Sequence, residues 1–195
     1  MNDINPPHAR VIVQQISKIS ARRIAEVGVL KGECANAILD RVGNKLLQYW
    51  LIDRWLAYPG LPKITQPQWD EHYDYVKTLA AQYPCAKVVR LASVDAAERM
   101  PDESLDLVFM DADHTYEGVY KDILAWLPKV RVGGTMLFHD FAHHAWPGVR
   151  QAVTELLPSA FPDSWDSNTA IYYKQERGSH YGSGAQNSIE RGSGI

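Results

Sequence analysis

Four apolar runs in this chain each end in an acid or an acid-bearing turn: Ile24-Ala25-Glu26-Val27-Gly28, Trp50-Leu51-Ile52-Asp53, Leu107-Val108-Phe109-Met110-Asp111 and Met136-Leu137-Phe138-His139-Asp140. Short apolar runs separated by helical stretches read as parallel strands buried on both faces. Ligands of such sheets bind outside the carboxyl ends of the strands. The four acids are therefore expected along one edge, facing one crevice. A row of half-buried acids repels itself unless a cation or hydrogen-bond donors sit among them, so this edge is where chemistry is to be sought.

The turn after the first run, Glu26-Val27-Gly28-Val29-Leu30-Lys31-Gly32, places two glycines four apart. Gly28 permits a tight turn and a close backbone approach, Gly32 lets the next helix pack closely, and that helix's N-terminus favours an anionic group. The middle glycine of a dinucleotide fingerprint is missing, which weakens a nicotinamide reading. Asp53, at the end of the second run, is placed to accept both hydroxyls of a ribose.

The elements that must position these residues follow from periodicity and punctuation. A short amphipathic helix is read at 11–20, strands at 22–27, 47–53, 88–91, 105–111 and 135–140, and helices at 33–42, 69–83, 95–99, 116–130 and 147–157. Gly133 and Gly134 are read as closing a helix and opening the fifth strand. The stretches 161–165 and 169–174 are read as a terminal hairpin around Asp166-Ser167-Asn168. The segment 54–67, with Pro59, Gly60, Pro62 and Pro67, is a long loop of the kind that forms lids. Trp55, Tyr58, Trp69, Tyr73 and Trp146 are candidates for its lining, or else core. Residues 1–175 form one domain. Beyond Glu176 a Gly/Ser-rich segment is expected to be a flexible tail.

Composition bounds the partners. The 195 residues are enough for one sizeable core, and 46% hydrophobic with 22% charged residues is ordinary for a globular protein. A net charge of −3 gives no broad basic surface for nucleic acid. No apolar stretch approaches the ~20 residues of a membrane span. The polar start from Met1 to Arg10, with Pro6 and Pro7, is unlike a secretory signal, and two cysteines, Cys34 and Cys85, read as reduced thiols of a cytoplasmic protein.

The pattern resembles the class I S-adenosylmethionine-dependent methyltransferases, nearest to the small metal-dependent O-methyltransferases of sugar and macrolide tailoring. The resemblance covers roughly residues 20–175. It rests on Glu26-x-Gly28-x-x-x-Gly32, Asp53, Asp111-Ala112-Asp113-His114-Thr115-Tyr116-Glu117-Gly118-Val119, Leu127-Pro128-x-x-Arg131-x-Gly133-Gly134 and Phe138-His139-Asp140. It implies an α/β fold: a doubly wound, Rossmann-like sheet of seven mostly parallel strands, the last antiparallel, with helices on both faces.

By that resemblance Gly28 and Gly32 lie against the methionine part of S-adenosylmethionine and Glu26 sits near it. Asp53 holds the ribose, and Ser93 or Val94 borders the adenine, with Asp95 a further candidate. Asp111, also counted among the cofactor residues, and Asp140 match metal-binding carboxylates. The residue before the second of these is often acidic in the family; here it is His139.

Methyl transfer to a hydroxyl needs an in-line geometry and a place for the departing proton. Asp111 and Asp140, with His139, suit Mg²⁺ or Mn²⁺, and His114 or Asp113 is placed to take the proton. Asp113 or His114 could instead cap the following helix, and His143 and His144 with His139 could form a zinc cluster. The acceptor is expected to be a hydroxylated small molecule. The short N-terminal region offers little material for a cap, so a homo-oligomer in which a partner subunit completes the pocket is a further expectation. The competing readings are a nicotinamide-dependent oxidoreductase and a cofactor-binding relative without turnover.

Overall fold

A computed structural model describes residues 5–57, 64–164, 166 and 168–176. The elements in chain order are α1 (Pro7–Ile19), β1 (Arg23–Val27), α2 (Glu33–Val42), β2 (Gln48–Asp53), α3 (Gln66–Ala80), β3 (Ala86–Arg90), α4 (Ser93–Glu98), β4 (Leu105–Met110), α5 (Tyr116–Trp126), β5 (Val130–Phe138), α6 (Pro147–Leu156), β6 (Phe161–Pro162) and β7 (Ala170–Tyr173). Seven strands form one sheet in the order β3-β2-β1-β4-β5-β7-β6. The pairs from β3 to β5 are parallel, and β7 runs antiparallel to β5. Among the described residues no helix is long and apolar enough to cross a membrane.

The strands are apolar on both faces because helices cover both. On one face Ile24, Tyr49, Leu51, Leu107, Phe109 and Leu137 pack against α1, α2 and α3. On the other Ala25, Val27, Ile52, Val108, Met110, Met136 and Phe138 pack against α4, α5 and α6. Alternation along a strand then fixes which end residues share a face. Glu26, Asp53, Asp111 and His139 continue the α1–α3 face.

The chain winds outward from β1 to β3, then returns to start again at β4 beside β1. That reversal is the switch point where ligands of such sheets bind. The register, with Val27 opposite both Ile52 and Met110 and Met110 opposite Phe138, brings the four strand ends level.

Boundaries of several elements shift from the sequence reading, α3 and β6 by three residues, and three shift by four or more. Helix α1 begins at Pro7, because proline fits the first helical turn, where no N–H partner is needed. Strand β5 begins at Val130, so Gly133 and Gly134 lie inside it. There its register against β4 jumps from Leu105–Val130 to Leu107–Thr135, a bulge that sequence punctuation mimics as a turn. Helix α5 ends at Trp126, and a 3₁₀ turn over Leu127–Lys129 leads straight into β5. Trp69 is core rather than lid. The lid residue Tyr58, Trp165 and Ser167 of the hairpin, and the tail after Glu176 fall outside the described residues.

Candidate active site

The turn after β1 is locked to its neighbours by backbone bonds: Gly28 N donates to Ile52 O and Asp111 N donates to Val27 O, both at 2.8 Å. Gly28 has φ +93°, and a Cβ there would lie 2.1 Å from the Asp111 carbonyl oxygen. Glycine is demanded because the β1 and β4 turns touch. The Asp53 carboxylate holds the same turn from β2. Its Oδ2 accepts from Val29 N and Leu30 N at 3.0 Å each, and its Oδ1 from Trp55 N at 2.9 Å. Trp55, fully buried, donates its ring N–H to Leu30 O. Leu30 and Trp55 both adopt positive φ, and Asp140 does so at the end of β5. Left-handed backbone at bulky residues costs energy and is retained where neighbours over-determine it, often at functional edges.

Glu26 lies deeper than the edge acids. It is 1% exposed and accepts hydrogen bonds from the Tyr49 hydroxyl and the Cys34 thiol. Burial pushes its carboxyl up to about 8, the charges of Asp111 and Asp53 push the same way, and the two donors offset only part. The self-repulsion expected of the acid row is thus relieved here by a proton.

At the ends of β4 and β5 the relief is cationic. His114 Nε2 lies 3.3 Å from Asp111 Oδ1 and 3.0 Å from Asp140 Oδ2, and His139 Nδ1 lies 3.1 Å from Asp111 Oδ1. Burial disfavours the charge on His114, but its bonds to the two aspartates prevail and raise it to about 9. Likewise burial works against charge on Asp140, yet His114, Asn168 and His139 hold it at about 2. Asp111 is held below the usual carboxylate range against its own burial, by the same two histidines. Asp111, His139 and Asp140 present ligand atoms all within 4.8 Å of one another. The His114 ring lies tilted against Trp146 at 5.1 Å, which orients it from the α6 side.

The other sequence candidates separate. Thr115 is the N-cap of α5, its side chain accepting from Gly118 N, so neither Asp113 nor His114 caps that helix. Asp113 Oδ1 instead accepts from Thr115 N at 2.8 Å, an Asx turn. Ser93, at the start of α4, accepts from Trp126 Nε1 and bonds Asp122; Val94 is half-buried beside it and Asp95 exposed. Gly32 precedes α2, and a Cβ there would meet Val76 of α3 at 2.9 Å. His143 and His144 stack on each other and join no ligand group with His139 among the described residues.

Two residues of the site lay outside the candidate list. Asn168, in the turn before β7, donates to Asp140 Oδ1 at 2.9 Å. His8, on the first turn of α1, packs its ring 4.3 Å from that of His139 and 5.5 Å from Phe109. The Asp-Ser-Asn turn signal marked the first; nothing local marked the second.

Residues 25–141 match the family described as a methyltransferase domain. The chain belongs to this methyltransferase family. Its sheet is the class I S-adenosylmethionine-dependent arrangement, which leaves the nicotinamide alternative without support. The methyltransferase is 26% identical over 136 residues to the uncharacterized protein y4gI of Sinorhizobium fredii, a match that spans 64% of this chain and 14% of that protein's length.

Among solved structures it is similar to the O-methyltransferase NovP, at 16% identity and TM-score 0.64, covering 87% of this chain and 78% of that one. The methyltransferase PaMTH1 of Podospora anserina, bound to S-adenosylhomocysteine, is 12% identical at TM-score 0.63, over 87% and 78% of the two chains. Spermidine synthase of Thermotoga maritima shares 12% identity at TM-score 0.58, over 86% and 59%. At such identities the likeness establishes the fold.

Proposed function

We propose that this methyltransferase transfers the methyl group of S-adenosylmethionine to a hydroxyl of a small molecule, with a divalent ion at the ends of β4 and β5. One observation carries the reading. Two carboxylates from neighbouring strands, Asp111 and Asp140, flank a single imidazole at 3.3 and 3.0 Å. Such a pair seeks positive charge, and the His114 imidazole between them is, against its own burial, raised to about 9 by their bonds to it. The donor set of two carboxylates and the His139 imidazole fits Mg²⁺, and Mn²⁺ somewhat better because of the nitrogen. Held by Asp111, Asp140 and His139, such an ion would supply Lewis-acid assistance to the loss of the acceptor's proton.

The chain's own residues do the rest. Gly28, Gly32 and the turn between them cradle the methionine part of the cofactor. Asp53 turns from the backbone amides it now holds to the ribose hydroxyls, and Ser93 and Val94 border the adenine. Glu26, neutral and buried, gives structure to the turn without adding charge beneath a sulfonium. His114 receives the acceptor's proton, once released from the two carboxylates. Its position over both strand ends favours it above Asp113, whose Oδ1 is committed to Thr115 N. Its side chain is 23% exposed, within reach of a substrate yet partly screened from water.

The test is turnover with labelled S-adenosylmethionine and a panel of hydroxylated sugars, catechols and natural-product scaffolds. Methylation should cease in chelator and return with Mg²⁺ or Mn²⁺; full activity in excess chelator would remove the ion from the scheme. His114→Ala should lower turnover by roughly 10²–10⁴, with cofactor affinity little changed. Equal losses in both would assign the proton to another group. Failure to bind either S-adenosylmethionine or its demethylated product would sink the reading as a whole.

A further inference from the structure

His139 has two ring nitrogens and two sets of neighbours. Its Nδ1 faces Asp111 Oδ1 at 3.1 Å, which leaves Nε2 as the free nitrogen. An imidazole whose one N–H is donated to a carboxylate is a metal ligand with its tautomer fixed and its other nitrogen made more basic. Close to the same ring stand His8 and Asp166. The ligand atoms of His8, His139 and Asp166 all lie within 4.8 Å of one another.

The three come from distant parts of the chain: the first turn of α1, the end of β5, and the turn between β6 and β7. Each is held in place. The His8 ring is stacked on Phe109 and set edge-on to His139. Asp166 is braced by Asn168 N at 3.2 Å and the Thr169 hydroxyl at 2.8 Å, one bond to each oxygen, so each oxygen keeps a free lone pair. The His8 ring is half-buried against its two aromatic neighbours, which fixes its plane while leaving its nitrogens accessible.

We propose that His8, His139 and Asp166 form a second divalent-cation site, of the two-imidazole, one-carboxylate type that suits Zn²⁺ and leaves a fourth position open. Two nitrogens and one oxygen favour borderline transition ions over Mg²⁺. The site goes beyond the methyl-transfer reading and shares with it only His139. An ion on Nε2 leaves the Nδ1–H donating to Asp111, so with this second site filled His139 leaves the donor set proposed above, and Asp111 and Asp140 hold their ion through oxygens alone. Such an ion would tie α1 to the β6–β7 turn across the sheet edge, next to the acids of β4 and β5.

The experiment is equilibrium dialysis of the full chain against Zn²⁺, with metal analysis of the retained protein and Co²⁺ as a spectroscopic stand-in. One retained ion should be lost in His8→Ala and weakened in Asp166→Asn, by at least the roughly 10- to 100-fold that loss of an outer-shell partner costs. It should survive Asp140→Asn, which removes a carboxylate of the other site, and His143→Ala. Co²⁺ should give the strong visible bands of a four-coordinate ion in the parent chain and not in His8→Ala. Circular dichroism confirms that the variants fold, and Asp166→Asn, a near-isostere in a surface turn, serves if His8→Ala does not. Retention unchanged in both variants, loss in His143→Ala instead, or no Zn²⁺ retained by the parent would overturn the proposal. Binding of S-adenosylhomocysteine, followed in the same samples, reports separately on the methyltransferase reading.

Discussion

A carboxylic acid that keeps its proton at neutral pH makes stability depend on pH with a definite sign. Folded Glu26 holds its proton up to about pH 8, against about 4.5 for an ordinary glutamate. Between those limits the native state binds more protons than the unfolded chain, so stability falls as pH rises. The contribution is whole below about pH 4.5 and gone above about pH 8, on the order of a few kcal/mol in all. Glu26→Gln preserves the acceptor for the Tyr49 hydroxyl and removes the titration. Its melting temperature should therefore decline much less than that of the parent between about pH 5 and pH 8.5. Parallel profiles for the two proteins would mean that Glu26 ionises freely. The sequence placed Glu26 correctly at a strand end, but a charge and a neutral acid are written with the same letter. The distinction comes from Tyr49 and Cys34, which reach it only after β2 and α2 have packed.

Among the turns, the one after β1 is the least tolerant, and the reason is contact rather than φ alone. Gly28 and Gly133 both have positive φ, +93° and +74°. A Cβ on Gly28 would overlap the Asp111 carbonyl at 2.1 Å, whereas at Gly133 the nearest atom is the end of the Arg131 side chain at 3.3 Å. Gly133→Ala should cost about 1 kcal/mol, the strain of left-handed backbone. Gly28→Ala should cost several times that, since the β1 and β4 turns must part. Urea denaturation compares the two; equal costs would show that the turns have room to separate.

The same contrast explains what was legible at this scale. Helix α2 was readable to its ends because Gly32 and Gly43 bracket an amphipathic run. Strand β5 was misread because Gly133-Gly134 spells a turn locally, while the paired β4 strand turns it into a bulge. His8 was invisible because its partner His139 lies 131 positions away in the chain, and no local pattern encodes that meeting.

The molecule as a whole is two half-folds that meet at Gly28 and Asp111. The first half, through β3, supplies the Gly28–Gly32 turn and Asp53; the second supplies Asp111, His114, His139 and Asp140. One consequence reaches every element. A cofactor bound across this junction interacts with the folded chain alone and raises its melting point by mass action. At about a hundredfold over Kd the gain is ~2.7 kcal/mol, or roughly 5–10 °C for a chain of this size. S-adenosylhomocysteine should produce that shift and NAD should not. In Asp53→Asn the starting temperature should fall, because the amides of Val29, Leu30 and Trp55 lose a charged acceptor. The quantity that bears on the ribose is the ligand-induced shift measured from that lower baseline. It should shrink by several degrees, because an amide accepts through one oxygen where the carboxylate offers two. A shift preserved in full would confine Asp53 to holding the turn, and the ribose would have to be held from another strand end.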